Sequence, residues 1–124
     1  MEMTHLHGFI AALMTAKDFE AMLPHMADDM VLKTPLVADP IIGKAAIRPI
    51  VEALLGVVDR FQFREIMQGP EHVAVFFGLT AGAEVLDGMD VIRLNAEGRV
   101  QEMTVLWRPL PAIAAVMKRL SDAA

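Results

Sequence analysis

Residues 88–108, GMDVIRLNAEGRVQEMTVLWR, constrain the fold more than any other stretch of the chain. They read as two strands joined by Asn95-Ala96-Glu97-Gly98, where Asn and Gly supply the positive φ of a tight hairpin. Strand side chains alternate between faces. Leu86, Gly88, Asp90, Ile92 and Leu94 therefore share one face of the first strand, and Met103, Val105 and Trp107 fall together on the second. A loop of about four residues sets Asp90 opposite or diagonal to Met103. One carboxylate thus lies on a face otherwise made of Leu, Ile, Met, Val and Trp. Two readings follow. Asp90 accepts a structural hydrogen bond or sits at a wet sheet mouth, or it is an acid in an apolar pocket, its pKa raised by desolvation.

The chain has 124 residues, enough for a single domain over 1–124, and 55% of them are hydrophobic. The mean hydropathy of +0.44 points to an internal apolar cavity, an apolar subunit interface, or both. The net charge is −5, and the 11 Lys and Arg are scattered rather than gathered in a stripe. Nucleic acid and anionic membranes are therefore not expected partners. The chain has no cysteine, which removes disulfides and thiolate metal sites. No apolar run reaches the ~20 residues of a membrane span, and the start MEMTHLHG lacks the basic character of a secretion signal. A cytoplasmic protein is the expectation.

Along the chain, residues 4–15 carry Leu6, Phe9, Ile10, Leu13 and Met14 at helical spacing, with Thr4 as the expected N-cap. Asp18 caps a second helix that Pro24 shortens and Asp28-Asp29 closes. A strand over 30–35 follows, then a scrap of strand at Ile41-Ile42 and a helix over 44–58 containing Pro49. Strands are expected over 61–68, 72–80 and 84–94; in the first, Phe61, Phe63, Glu65 and Met67 share a face. After the last strand, Pro109 opens a helix with Leu110, Ile113, Val116, Met117 and Leu120 on one side. Helices first and antiparallel strands last make the class α+β. The helices cover one face of a curved sheet. The other face is expected to be apolar too, at Val73, Val75, Phe77, Val85, Met89 and Val91, so it is assigned to a homodimer partner.

With those elements in place, the chain resembles the nuclear-transport-factor-2-like superfamily, which includes ketosteroid isomerases and SnoaL-like cyclases. FIAAL near the start, ADDMVLKTP followed by IIGKAAIR, and the DVIRLNAEGRV hairpin carry the resemblance over nearly the whole chain; WRPLPAI resembles the SnoaL-like subset. The resemblance implies a cone, a curved antiparallel sheet wrapped around the N-terminal helices with a C-terminal helix. It also implies a pocket for a small apolar ligand, with no cofactor and no metal. Ketosteroid isomerase works with an Asp base, a Tyr and a protonated Asp. The protonated Asp corresponds to Asp90. The base falls on Thr34, before Pro35, and the Tyr on or near Phe9. A Thr hydroxyl is too weak a base for a carbon-bound proton, and Phe donates no hydrogen bond. Steroid isomerisation by that mechanism is not expected. The resemblance places Phe76, Met103 and Trp107 in the pocket lining; Phe9, Leu13, Leu32, Thr34 and Ile92 complete the candidate ligand-binding set.

Other side chains offer less. His72 is a candidate acid/base partner if it faces the same side as Asp90, and a strand-start residue at the rim otherwise. His5 and His7 point apart on a helix and form no metal site, and His25 is expected in solvent. Arg99 and Gln101 either touch the cavity's end or are solvated. Arg108 is expected to anchor the last helix by a salt bridge. Arg93 and Asp87 fall on the face opposite Asp90, so they cannot build the Asp-Arg-Asp set of the superfamily's epoxide hydrolases. The 10 methionines mostly sit at core spacing. Three functions remain open: an isomerase, cyclase or dehydratase using Asp90 as acid or acid/base; a non-catalytic binding protein; and a dimerisation module whose hollow is filled by its own side chains.

Overall fold

The computed structural model describes residues 2–123. The chain runs α1 (Thr4–Ile10), a π-helical turn (Ala11–Ala16), α2 (Phe19–Met22), a 3-10 turn (Leu23–His25), β1 (Met26–Lys33), β2 (Ile41–Ile42), α3 (Lys44–Val57), β3 (Arg60–Gln68), β4 (Val73–Ala81), β5 (Glu84–Leu94), β6 (Val100–Arg108) and α4 (Leu110–Ala123). The six strands form one sheet in the order β2-β1-β6-β5-β4-β3. The β1–β6 pair is parallel and the rest are antiparallel. The sheet curves without closing, and the helices pack into its concave side. The class is α+β, as the sequence implies.

The first helix is not uniform. The α-helical spacing ends at Ile10, and the backbone widens into the π turn, which closes with Asp18 N–H donating to Ala12 O at 3.0 Å. Met3, not Thr4, is the N-cap. Lys17 takes φ 52°, the left-handed conformation that often ends a helix. Asp18 then caps α2 as expected, accepting from Glu20 N–H at 3.0 Å. Pro24 ends helical structure in the 3-10 turn, and β1 starts at Met26, four residues before its expected beginning. Asp28 and Asp29 do not close a helix. They ride on the strand's exposed side, where Asp28 meets Lys44 at 3.2 Å and Asp29 accepts from Gln101 at 3.0 Å. The β1–β6 register breaks between Met26 and Val31, at this acidic pair.

Two further corrections concern faces. In β3 the pairing jumps from Phe63↔Phe77 to Glu65↔Phe76, so Arg64 is a bulge. The bulge reverses the alternation: Phe61, Phe63 and Ile66 take the side of Phe77 and Val75, while Glu65 and Met67 take the other. In β4, Val73, Val75 and Phe77 pair with Ile92, Asp90 and Gly88, which puts them on the helix-covered face and not on the outer one. The outer face is instead Ala74, Phe76, Val85, Met89, Val91 and Leu106. A strand apolar on both sides gives no polar mark of which side is out.

The β5–β6 hairpin turns through Gly98 at φ +82°. Asn95 does not supply a second positive φ. Its carboxamide oxygen accepts from Glu97 and Arg99 N–H, at 3.0 and 2.9 Å, and holds the loop that way. On α4, Ala112, Ile113 and Val116 are buried, but Leu110 and Met117 are exposed, so the buried stripe is narrower than expected.

Candidate functional site

Asp90 is the one buried charged or polar residue among those described, at 3% exposure. Its neighbours explain its isolation. Across the sheet it pairs with Val75 on β4 and Val105 on β6; along β5 the same face carries Gly88 and Ile92. None of these side chains can hydrogen-bond, and Asp90 Oδ1 is buried with no partner. Burial alone pushes the carboxyl up from 3.8 to about 8. At pH 7 the group is neutral by about ten to one. It is then an O–H donor with acceptor capacity left over.

Asp90 lines a narrow hollow between sheet and helices. The π turn contributes Leu13, α2 contributes Met22, and β1 contributes Leu32, with Thr34 and Leu36 just beyond it. From α3 come Ile50, Val51 and Leu54; the sheet adds Phe61, Phe77, Met103, Val105 and Trp107. The free volume is about 40 Å³. That exceeds the ~10–15 Å³ one water needs but is far below the ~300 Å³ of a site for a drug-sized ligand. Gly88 helps to shape it. A Cβ there would lie 2.3 Å from Phe77 Cζ, so the missing side chain is what lets the Phe77 ring fold across β5.

Besides Asp90, two residues with polar side-chain atoms line the hollow, Thr34 and Trp107. Thr34 Oγ1 accepts from Leu36 N–H at 3.0 Å, which ties down the chain leaving β1. Trp107 Nε1 is buried and, like Asp90 Oδ1, has no partner. Trp107 pairs with Gly88, so the indole springs from the same face as Asp90, one diagonal step away.

Of the residues expected at the site, Asp90, Leu13, Leu32, Thr34, Met103 and Trp107 come together around the hollow. Phe9 and Ile92 do not reach it; at 0% and 1% exposure they are plain core. Phe76 is on the wrong face. It pairs with Met89 and borders an outer groove with Leu106, while its neighbour Phe77 lines the hollow. His72 is exposed, one residue before β4, and outside the lining, so it is no partner for Asp90. Ile50, Leu54, Val51, Met22, Phe61, Phe77, Val105 and Leu36 line the hollow without having been expected there. Ile50 and Leu54 recur at helical spacing within α3, which is itself a signal of burial, whereas Leu36 follows Pro35 in a segment with no periodicity at all.

Elsewhere, His25 is not free in solvent. Its Nδ1 lies 2.9 Å from His5 Nδ1, and burial, His5 and Arg99 together hold its pKa down. Arg99 Nε donates to Pro24 O, away from the hollow. Arg108 binds Asp87 at 3.0 Å on the outer face, and Arg64 binds the same carboxylate at 2.7 Å. Among the described residues no three His, Asp or Glu are grouped to hold a metal ion, and no helix is long and apolar enough to cross a membrane.

Comparison with known proteins agrees with this architecture. A steroid Δ-isomerase of Nocardioides simplex is 30% identical over 87 residues, covering 67% of this chain and 71% of that protein. The crystal structure of a steroid Δ-isomerase from Pseudomonas aeruginosa superposes with a TM-score of 0.84 at 21% identity, covering 97% of this chain and 91% of that one. An uncharacterised protein of cystatin-like fold from Silicibacter pomeroyi reaches 0.83 at 21% identity, over 99% of this chain and 89% of that one. Residues 6–103 match the SnoaL-like domain, and with its curved sheet and helix-roofed hollow the chain belongs to that family.

Proposed function

We propose that this protein takes a small hydrophobic molecule bearing an oxygen into the hollow, and that Asp90 acts on it as a neutral acid. The observation that carries this reading is the unpaired Asp90 carboxyl, buried among Val75, Val105, Gly88 and Ile92. A buried, unsatisfied acid costs a fold stability, so a substrate partner is the natural reason to keep one. The reaction class is isomerase- or cyclase-like, in keeping with the steroid Δ-isomerase relative. Asp90 gives its proton to the substrate oxygen as charge builds there, and the carboxylate left behind takes a proton from the same substrate. Thr34 cannot serve as the base, so one carboxyl fills both roles.

The test needs no natural substrate. Small cyclic ketones in D₂O are followed by NMR for exchange of the protons beside the carbonyl. The wild type should speed exchange for at least one ketone, and Asp90→Asn should slow it by about 10²–10⁴-fold while the fold persists. Equal rates for the two proteins refute the acid role.

The cavity of about 40 Å³ favours a second reading, a dimerisation module whose hollow is filled by its own side chains. Failure of every apolar ligand to bind selects it, whereas a ligand that binds and is recovered unchanged, with no exchange, selects a binder without turnover. We also infer that the outer face pairs with a second copy of the chain. Val85, Met67 and Leu106 are 63%, 56% and 48% exposed there, beside the half-buried Phe76 and Met89. Sedimentation should find a dimer at micromolar concentration, and a monomer would contradict the pairing.

A further inference from the structure

Away from the hollow, two imidazoles meet head-on. His5 on α1 and His25 in the 3-10 turn bring their Nδ1 atoms to 2.9 Å, with ring centroids 5.2 Å apart. The difference is about the sum of the two ring radii, so each nitrogen points straight at the other. Chelation would aim both lone pairs at a third point. The contact is therefore a hydrogen bond, with one Nδ1 donating and the other bare. Gly8 makes room for it. A Cβ there would lie 2.4 Å from His25 Cε1 and Nε2, so the glycine is what lets the ring rest against α1.

The charged neighbours decide which ring is bare. Arg99, from the β5–β6 hairpin, donates its Nε to Pro24 O and so sets its charge beside His25. Burial, His5 and Arg99 hold His25 below the usual histidine range. Glu2, ahead of α1, is the charged group facing His5, and its carboxylate accepts from Thr4 N–H. His7 is exposed further along α1, and the 3-10 turn has no other titratable side chain. The negative neighbour is at His5 and the positive one at His25, which makes His5 the donor. We propose that this pair is an acid-sensitive latch: His5 Nδ1–H donates to a bare His25 Nδ1, and a proton taken up there sets two donors against each other and frees α1 from the 3-10 turn. Below about pH 6.5 a histidine in the unfolded chain takes up a proton that folded His25 resists, so the contact loses strength as pH falls. α1 runs on into the π turn, whose Leu13 lines the hollow, so the latch acts on one wall of the candidate site.

A long-range ¹H–¹⁵N spectrum of the imidazoles in the full-length protein at pH 7 should show His25 bare at Nδ1 and His5 protonated there. Protection of the Gly8, Phe9 and Ile10 amides from hydrogen exchange should fall severalfold from pH 7 to pH 5, with its midpoint where His25 gains a proton. His25→Asn keeps an acceptor near the Nδ1 position and takes up no proton, so its α1 should keep its protection over that range. Asp90 is present in both proteins, and the difference between them isolates His25. A proton on His25 Nδ1 at pH 7 overturns the proposal, as does full protection of α1 at pH 5 in the wild type, or an equal loss in His25→Asn. Equimolar Zn²⁺ that shifts both Nδ1 resonances also overturns it, by making the pair a metal site. Should His25→Asn not fold, the wild-type ring spectra and exchange midpoint still decide.

Discussion

Asp87 and Asp90 stand three residues apart on one strand and meet opposite environments. Asp87 points outward, where hydrogen bonds from Arg64 and Arg108 hold its pKa below the usual carboxylate range. Asp90 points inward, has no partner, and is pushed up to about 8. The strand's alternation alone makes the difference, since a carboxylate accepts whatever its face provides. The outer site is a solvated ion cluster of the ordinary kind. The inner one is a group the fold would be more stable without, and that asymmetry marks the candidate site.

Replacing each acid separates the two cases. Asp90→Leu, nearly the same shape, removes the cost of keeping the carboxyl protonated. That cost is on the order of 4 kcal/mol at pH 7, from a carboxyl raised from 3.8 to about 8. Urea unfolding should show a gain of that order, and a loss would break the contrast. The pH profile sharpens it. Between about pH 4 and pH 8 the folded state keeps a proton that the unfolded state gives up, so wild-type stability falls as pH rises, by about 1.4 kcal/mol per pH unit at steepest. Asp90→Asn should flatten that slope. Gly88→Ala comes next. The new Cβ would lie 2.3 Å from Phe77 Cζ, so the ring must move, at about 1–3 kcal/mol read from the urea midpoint. Asp87→Asn should have the smallest effect, a slight fall in melting temperature that disappears in 1 M salt, because exposed pairs are screened.

How much of this was legible follows from the same alternation. Leu86, Asp90 and Ile92 share a face in the sequence as in the fold, because β5 runs without a break from Glu84 to Arg93 in its pairing. The Gly98 turn and the Asp18 cap are local chemistry and could be read directly, whereas Asn95 holds its loop through the side chain and not by a positive φ. Faces failed where a strand carried no polar marker or no constant period. Phe76 and Phe77 are interchangeable to the eye, and only the pairing of Phe76 with Met89 tells them apart. In β3 the Arg64 bulge reversed the pattern midway. The unpaired Trp107 Nε1 was invisible for another reason: a sequence names the donor but not the absence of its acceptor. The π turn escaped because Leu13 fits α-helical spacing as well as π.

The most direct measurement is a ¹³C NMR titration of the Asp90 carboxyl carbon in the folded protein. A midpoint near pH 8 is expected. A midpoint near 4, that of a carboxyl in water, would mean that Asp90 is solvated or paired, and the inner site would lose its claim to chemistry.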